Sequence, residues 1–426
     1  MLNKNKSANL FIIILCIIPV IIWIFMQPLS TRFSNFFEIF TSIGQISGLI
    51  GLVLLSITFV LNARIKFLEK YFRGLDKMYN SHHLIGSIGF ILLLFHPLSL
   101  AVRFFPNFKQ SQSFLFSFSN LSVNLGIIGL IIMIILIFLT FFVKLKYNNW
   151  KISHKFLGLA LIFSILHLIS INSDVSRNIL LKYYMIFISF LGLCAYFYKT
   201  IFNIHNKKYY YVVENVREIS SNIVELTLKP KDRSLKYTAG QFAFVKVLGK
   251  SFSKEQHPFT ISSSPEEKSI RFNIKNLGDY TSQLKNIQIG SEVEIEGPYG
   301  MFYSHSKLDE IWIAGGIGIT PFLSRLKSIP ENKKVYLFFS LKNKNQDVFF
   351  KELERTAKEN KNFKVFINYS EEKGHINIDK IRDKLGIFDK DIFLCGPKLM
   401  TESIKCELIR AGVNKALRTY YFLFLK

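Results

Sequence analysis

Four histidines occupy two otherwise apolar segments in the first half of the chain. His82 and His96 lie on one segment, and His154 and His167 lie on the other. Polar side chains are costly inside a membrane and usually have a partner or a ligand there. The first pair is fourteen residues apart, about 21 Å along a helix, and the second pair is thirteen residues apart. Paired imidazoles repeated on two helices predict two shared metal sites.

Haem iron suits such sites, because neutral imidazole is a strong axial ligand and the porphyrin supplies the other ligands. If both helices cross in the same direction, His82 lies level with His154, and His96 lies level with His167. The spacing therefore predicts two stacked b-type haems, one in each leaflet, with these four histidines as the metal ligands.

The two histidines of each helix do not lie on one common helix face. At 100° per residue, fourteen steps miss a common helix face by about 40°, but thirteen steps miss it by about 140°. The second helix therefore needs a kink or an oblique approach. His83 competes with His82 as a ligand. His82 is preferred because Gly86 follows it by four residues, as Gly158 follows His154, and glycine leaves room for a porphyrin.

The elements that carry these histidines are membrane-length runs. Six uncharged runs in the first 200 residues approach the roughly 20 residues that a spanning helix requires. We therefore predict a membrane all-α six-helix bundle. The first run follows Lys4 and Lys6 and resembles a signal peptide, but it lacks a small-residue cleavage site, so a retained helix is preferred. The six runs are Leu10–Gln27, Ile39–Leu61, His82–Val102, Leu121–Val143, Phe156–Ser173 and Tyr183–Tyr198.

Charge sets the expected orientation and partners. Thirteen Lys and Arg residues flank one set of helix ends and five flank the other, which predicts that both termini are cytoplasmic and that the protein lies in the cytoplasmic (inner) membrane. Lysines next to the membrane favour anionic lipid as a partner. The net charge of +24 is dispersed without a compact basic motif, so nucleic acid is not expected. The four cysteines lack metal-ligand spacing, and no disulfide is expected.

After residue 208 the pattern changes to short alternating strands separated by turn residues, which predicts a small antiparallel β-barrel. A further region begins with the predicted strand Ile311–Ala314, which is followed by a glycine-rich turn and then by the start of a helix. This arrangement places backbone amides and a helix N-terminus where a pyrophosphate binds. The predicted domains are a transmembrane di-haem domain (1–205), a β-barrel domain (209–307) and an α/β nucleotide-binding domain (308–426).

These features resemble the ferric reductase and NADPH oxidase superfamily, in particular its bacterial transmembrane flavocytochromes b with a ferredoxin-reductase-type dehydrogenase. The histidine pattern, with Pro97 after His96, carries the resemblance in the membrane half. In the soluble half, the segment 257–263 is similar to the family's flavin signature and follows Gly240, Gln241 and Phe242. The resemblance implies FAD as a cofactor, with Thr260 near the reactive edge of the flavin. The implied FAD-binding residues are His257, Pro258, Phe259, Thr260, Ile261, Ser262, Lys275, Gly278 and Thr281.

The resemblance also implies a nicotinamide nucleotide site. Ser340 and Lys342 stand where relatives that prefer NADPH carry a Ser and an Arg, so NADPH is preferred and NADH stays an alternative. Cys395 resembles the family residue that borders the nicotinamide. Phe422 is the candidate for stacking on the flavin, and Tyr420 replaces the acidic residue common in relatives. The implied nucleotide-binding residues are Gly315, Gly316, Gly318, Thr320, Pro321, Ser340, Lys342, Cys395, Gly396 and Pro397.

The resemblance implies an enzyme that moves electrons from cytosolic NADPH through FAD and two haems to an acceptor outside the cytoplasm. Oxygen, giving superoxide, and a ferric chelate are the two acceptors considered. The animal oxidases carry a second histidine one turn beyond the outer ligand, where this chain has Leu100, and this favours iron. A haem-binding sensor or transporter without electron transfer is the alternative. No obligatory protein partner is expected, and the lack of long insertions and calcium loops predicts constitutive activity.

Overall fold

The computed structural model describes residues 4–116, 120–200, 207–249, 252, 255–303, 307–413 and 417–420, with only the backbone described for residues 4–7 and 417–420. The chain divides into two compact units, residues 1–205 and 206–426. Phe422 lies outside the described residues.

The described part of the first unit is helical. Its long helices are rich in Leu, Ile and Phe, and Asn35 and Asn120 cap two of them by accepting hydrogen bonds from backbone amides of the first turn. The helices are α1 (Lys4–Ile24), α2 (Leu29–Arg32), α3 (Phe36–Asn62), α4 (Lys66–Phe72), α5 (Leu75–Val102), α6 (Phe108–Phe116), α7 (Leu121–Phe142), α8 (Tyr147–Lys155), α9 (Leu157–Ser170), α10 (Asp174–Arg177) and α11 (Ile179–Thr200).

Five segments among the described residues are long and apolar enough to cross a membrane: α3, α5, α7, α8 together with α9, and α11. The apolar part of α1, Ala8–Ile24, is shorter. The membrane character predicted from the sequence is thus found, and α1 as a sixth span stays a prediction.

Small residues set the close approach of these helices. A Cβ atom on Gly89 of α5 would lie 3.0 Å from Leu54 of α3, and one on Gly129 of α7 would lie 3.1 Å from Phe163 of α9. In a membrane, where lipid is as apolar as leucine, such backbone proximity stabilises helix pairs through van der Waals contact. The packing places α5 against α3, and α9 against α7.

The helix that carries the second histidine pair is broken. α8 ends at Lys155 and α9 begins at Leu157. Between them, the amide of Phe156 donates to Ser153 O and the amide of Leu159 donates to Phe156 O. Both hydrogen bonds span three residues, as in a 3-10 helix, instead of the four of an α-helix. The irregularity predicted from the thirteen-residue spacing is present. It lies between His154 and His167 and re-aims one relative to the other.

The second unit begins with a curled antiparallel sheet in the order β4-β3-β6-β1-β2-β5. An isolated bridge from Ile261 to Phe272 links its two edge strands. Alternate residues such as Phe272 and Ile274 fill the interior. The elements are β1 (Lys208–Ser220), β2 (Ile223–Pro230), β3 (Phe242–Val247), β4 (His257–Thr260), β5 (Ile270–Lys275), α12 (Asp279–Gln283) and β6 (Glu292–Tyr299).

A parallel sheet follows, in the order β11-β10-β7-β8-β9. The chain leaves β7 towards β9 and returns to β10, so the strand order reverses between β7 and β10, the place where such sheets bind ligands. The elements are β7 (Asp309–Gly315), α13 (Thr320–Leu323), β8 (Val335–Leu341), α14 (Phe350–Glu359), β9 (Phe363–Tyr369), α15 (Ser370–Lys373), α16 (Ile378–Leu385), β10 (Lys390–Cys395), α17 (Lys398–Arg410) and β11 (Leu417–Tyr420).

Candidate functional site

The four histidines of the first unit form two pairs. The imidazole centroids of His82 and His154 lie 6.3 Å apart with their planes at 65°. Those of His96 and His167 lie 6.4 Å apart with their planes at 69°. The structure therefore brings together the same partners that the sequence pairs, and it does so twice along α5.

The separation within each pair matches two rings that share one metal. A metal lies about 2 Å from a bound imidazole nitrogen, and that nitrogen lies about 1.1 Å from its ring centre, which gives roughly 6 Å between centroids. Among the described residues, no three His, Cys, Asp or Glu side chains are grouped to hold a bare metal ion. A haem iron needs only two axial ligands from the protein. The residues present fit haem.

Backbone carbonyls orient three of the rings. The Nδ1 atom of His96 donates to Gly44 O at 2.7 Å, and the Nδ1 atom of His167 donates to Ser122 O at 2.7 Å. The Nδ1 atom of His82 donates to Thr58 O at 3.0 Å. A carbonyl only accepts, so each Nδ1 carries the proton. The other nitrogen, Nε2, then carries the lone pair that binds a metal.

A hydroxyl group lies beside the fourth ring, that of His154. The Thr140 hydroxyl donates to Leu136 O at 2.8 Å, and its oxygen lies 3.4 Å from Nδ1 of His154. That oxygen can therefore accept a hydrogen bond from the ring. Trp150, one turn earlier on α8, stacks on His154 with centroids 5.5 Å apart and planes at 23°. The ring of His154 is thus held on one side by α7 and on another by its own helix.

Glycines make room for the imidazoles. A Cβ atom on Gly48 would lie 2.7 Å from Nδ1 of His96, and one on Gly126 would lie 2.9 Å from Nδ1 of His167. Each glycine follows its acceptor carbonyl by four residues, so one helical turn supplies both the acceptor and the space. Sequence reasoning missed this pair, although the matching spacing of Gly44 with Gly48 and of Ser122 with Gly126 is visible in the sequence.

The glycines that the sequence analysis selected have other roles. A Cβ atom on Gly158 would lie 2.2 Å from the ring of Tyr196, so that glycine admits an aromatic side chain of α11. A Cβ atom on Gly86 would have Thr58 Cγ2 at 3.5 Å as its nearest neighbour, an ordinary contact. The suggestion that these two glycines leave space for porphyrin is wrong for Gly158 and stays a prediction for Gly86.

The Gly48→Ala variant is expected to lose haem from the His96 site. Its methyl group would displace the imidazole, and the displaced ring would no longer aim Nε2 at the metal. We expect a fall in haem affinity at that site of about 10- to 100-fold, the range for disturbed partners of metal ligands. Pyridine haemochrome analysis of the purified protein measures it. Ser87→Ala, at an exposed position of α5, is the control and should retain full haem. Equal haem content in the two variants would contradict this account.

The flavin signature lies on β4 and the turn after it. The His257 ring stacks on Tyr280 with centroids 3.9 Å apart, and its Nε2 atom lies 2.7 Å from a carboxylate oxygen of Glu255. Burial raises the pKa of Tyr280 to about 12, so its phenol is neutral. Pro258 and Phe259 are half-buried, and Thr260 is buried. The Ile261 side chain belongs to the interior of the sheet, so Thr260 and Ser262 face the other side.

The segment predicted for the flavin pyrophosphate forms a tight turn. The Thr281 hydroxyl oxygen accepts from the amides of Leu277 and Gly278 at 2.9 and 3.0 Å and donates to Gly278 O. A Cβ atom on Gly278 would meet no atom of the described part of the chain within 4 Å. Lys275 ends β5 just before this turn. An open, backbone-lined turn beside a cation fits an anionic group such as the pyrophosphate of FAD.

The nucleotide turn after β7 packs on the turn after β10. A Cβ atom on Gly318 would lie 2.4 Å from Cys395 O, and one on Gly396 would lie 3.1 Å from Gly315 N. Gly316 has φ +54°, a conformation that favours glycine, and a Cβ atom there would meet none of the described residues within 4 Å. The two predicted segments thus meet at the sheet's reversal point, and the open side of Gly316 fits a pyrophosphate.

The remaining predicted nucleotide residues flank this crevice. The Thr320 hydroxyl donates to Ile317 O at 3.1 Å, and Pro321 lies in the first turn of α13. Ser340 lies beside Gly315 across the β7–β8 pairing. Lys342 is exposed just beyond β8. Pro397 precedes α17 and lies 2.9 Å from the position of a Gly315 Cβ atom.

Cys395 is fully buried at the end of β10. Burial raises the pKa of its thiol far above the usual range, because a thiolate would lose its hydration there. The group is therefore a neutral thiol at neutral pH. The backbone of Tyr420 on β11 pairs with Cys395.

Labelling with a water-soluble maleimide at pH 8 is expected to modify Cys406, which is exposed, and to spare Cys395 in the folded protein. The thiolate is the reactive form of cysteine, and the thiol of Cys395 is both neutral and inaccessible to the reagent. Peptide mass spectrometry before and after unfolding in urea measures the difference. Equal labelling of both cysteines in the folded state would show that the thiol is accessible.

Tyr303 is a further residue that sequence reasoning missed. Its hydroxyl donates to Pro321 O at 3.2 Å. A Cβ atom on Gly240, which has φ +78°, would lie 2.8 Å from its ring. Tyr303 therefore lies beside Gly240, which precedes β3, and beside Pro321 of the nucleotide turn. The only sequence signal was its position shortly after Gly300.

Three family models match the chain in succession. Residues 47–165 match the ferric reductase like transmembrane component, residues 208–303 match an FAD-binding domain, and residues 312–405 match an oxidoreductase NAD-binding domain. This chain belongs to the ferric reductase and NADPH oxidase superfamily. The matched transmembrane component contains His82, His96 and His154, and it ends two residues before His167.

Relatives within and near this superfamily match about half of the chain or more. Flavohemoprotein A of Dictyostelium discoideum is 30% identical over 235 residues, covering 49% of this chain and 59% of that protein. NADPH oxidase 1 of Mus musculus is 26% identical over 268 residues, covering 50% of this chain and 45% of its own length. Dual oxidase 2 of Sus scrofa is 22% identical over 73% of this chain and 21% of that protein. The chain thus spans less than two thirds of each.

Solved structures also resemble the chain in fold. The flavohemoglobin of Malassezia yamatoensis aligns with a TM-score of 0.52 and 17% identity over 90% of this chain and 96% of its own. The superfamily membership establishes an oxidoreductase with FAD-binding and nicotinamide-nucleotide-binding domains joined to a transmembrane component.

Proposed function

We propose that this chain transfers electrons across a membrane, from NADPH on the side of the soluble unit to an acceptor on the opposite side. FAD and two b-type haems are the proposed cofactors, since flavin exchanges hydride for single electrons and haem carries single electrons. The two imidazole pairs, His82 with His154 and His96 with His167, are the observation that carries the proposal. A sensor would need one such pair, and two pairs at successive depths favour a path through the membrane.

The chain's own residues have distinct roles in this proposal. The turn at Gly315 to Pro321 holds the nucleotide pyrophosphate with backbone amides, and Gly318 brings that turn against Cys395. Cys395 presents a neutral thiol and excludes water at the nicotinamide end. Thr260 faces the reactive edge of the flavin with a hydroxyl that donates or accepts a hydrogen bond. Ser340 and Lys342 favour the 2′-phosphate of NADPH over NADH.

The orientation follows from charge. Lys and Arg are concentrated at the helix ends that flank His82 and His154, and this supports a cytoplasmic side for this pair and for both termini. His96 and His167 then lie near the outer surface. The proposed location is the cytoplasmic membrane.

A ferric chelate is the acceptor that we propose ahead of oxygen. Leu100, one turn beyond His96, packs on α3, where a Cβ atom on Gly44 would lie 2.8 Å from it. This position therefore offers no polar group to orient oxygen. Arg103 nearby lies over the rings of Phe37, Phe104 and Phe114 at 4.7 to 5.3 Å. Its cation adds a positive charge at the surface where an anionic chelate approaches.

The test uses purified protein in lipid vesicles with NADPH on the side of the soluble unit and ferric citrate on the other. We expect iron reduction that continues without oxygen and in the presence of superoxide dismutase. Reduction that stops under either condition would make oxygen the obligatory acceptor. Failure to reduce any acceptor on the far side, with NADPH oxidised normally, would contradict transmembrane transfer.

A further inference from the structure

Asn273 is a buried polar residue whose hydrogen bonds are incomplete. It lies in β5 with 5% of its surface exposed. Its Nδ2 group donates to the Ser262 hydroxyl oxygen at 2.9 Å, while its Oδ1 atom is buried and has no hydrogen-bond partner among the residues that the structure describes. An unsatisfied buried acceptor costs free energy, and native proteins rarely retain one without a reason.

The orientation of the Asn273 amide follows from its neighbours. The Ser262 hydroxyl donates to Arg271 O at 2.9 Å, so its only hydrogen is used. In this arrangement the hydroxyl accepts from Asn273, and the NH2 group of the amide faces it. Exchanging the two ends of the amide would take the hydroxyl hydrogen away from Arg271 O. Oδ1 is consequently the end that points away from Ser262.

Asn273 lies on the face of the curled sheet that serves the predicted flavin site. Its neighbours Phe272 and Ile274 fill the interior of the sheet, so Asn273 lies on the opposite face. The antiparallel bridge between Ile261 and Phe272 places Thr260 opposite Asn273. Thr260 is the residue assigned to the reactive edge of the flavin. Asn273, on β5, is therefore a further residue of that predicted flavin site.

The same strand lies beside the nucleotide turn. β5 contacts the 3-10 turn Gly316–Ile319. The Ser324 hydroxyl, just beyond α13, donates to Ser263 O at 2.7 Å and fixes the nucleotide region against the end of the flavin signature. The unused oxygen of Asn273 thus belongs to a strand where the two predicted cofactor segments meet.

We propose that Asn273 is a cofactor-binding residue whose Oδ1 atom accepts a hydrogen bond from an amide-type N–H group of the bound ligand. Both the imide of the flavin ring and the carboxamide of nicotinamide carry such a group. This inference rests on the proposed function and adds a residue that binds at the junction of the two cofactors.

Asn273→Leu tests the inference, because leucine is close in size and removes both polar ends. The unused acceptor disappears, so we expect the full-length protein stripped of FAD to unfold at the same temperature or higher. Binding should weaken by roughly ten-fold, the effect of one lost hydrogen bond. A purely structural asparagine would give the reverse pattern, with a lower unfolding temperature and unchanged binding. Asn215→Leu, at an exposed position of β1, is the matched control.

Two titrations separate the ligands. Weaker FAD binding, followed by quenching of flavin fluorescence, assigns the bond to the flavin ring. Unchanged FAD binding with a higher KM for NADPH and unchanged kcat assigns it to nicotinamide. Unchanged values of both would overturn the inference. If the wild-type chain binds neither FAD nor NADPH, the proposed function fails instead. Should the leucine variant not fold, Asn273→Ser provides the same comparison with a smaller expected loss.

Discussion

The His96→Leu variant is expected to retain about one haem per chain and to lose transfer to the far side of the membrane. One imidazole of the second pair is removed, and His167 alone cannot complete a six-coordinate iron. Because disturbing even the partners of a metal ligand costs 10- to 100-fold, we expect electron transfer to ferric citrate across vesicles to fall by at least about 100-fold. Reduction of a soluble dye by NADPH should persist, since the second unit is unchanged.

His83→Leu is the matched control for this experiment. His83 lies on the same helix beside His82, with ring centroids 5.6 Å apart, and is exposed. It belongs to neither of the two pairs. The control should keep both haems and normal transfer. If His96→Leu kept two haems, the assignment of that histidine as a ligand would be wrong.

The second large effect is expected at Gly318. A side chain there would meet the backbone of Cys395, with the carbonyl oxygen at 2.4 Å and its carbon at 2.7 Å. Backbone cannot rotate away as a side chain does, so Gly318→Val must separate the two nucleotide turns. Overpacking of this kind costs about 1–3 kcal/mol, which corresponds to a rise in KM for NADPH of about 5- to 150-fold.

Stopped-flow reduction of the flavin by NADPH measures this effect, and the haem content reports on the first unit. Cys406→Val is the control, because Cys406 is exposed on α17 and a valine there leaves the contact between the two turns unchanged. A normal KM in Gly318→Val would show that the close contact between the turns is not needed for nucleotide binding.

Much of this architecture was predictable because its signals are local. The membrane runs, the change to alternating strands after residue 208 and the glycine-rich turn after a strand each depend on neighbours in sequence. The break at Phe156 was also predictable, since thirteen residues cannot place His154 and His167 on one face of a straight helix. The pairing of those histidines with His82 and His96 followed from counting helix crossings.

Other parts depend on contacts between distant segments, which spacing does not reveal. Any residue can offer a carbonyl, so nothing in the sequence marks Gly44 as the acceptor for His96. Gly158 follows His154 by four residues, yet the residue that fills its space is Tyr196, 38 residues away. Asn273 is ordinary in sequence and becomes notable only because the curl of the sheet brings it beside Ser262.

The number of haems per chain and their response to NADPH test the central claim most directly. The full-length protein, purified with FAD and haem, should contain two low-spin, six-coordinate haems per chain. NADPH should reduce both in the absence of oxygen. One haem or none per chain, or haems that dithionite reduces but NADPH with FAD does not, would contradict electron transfer through the two histidine pairs.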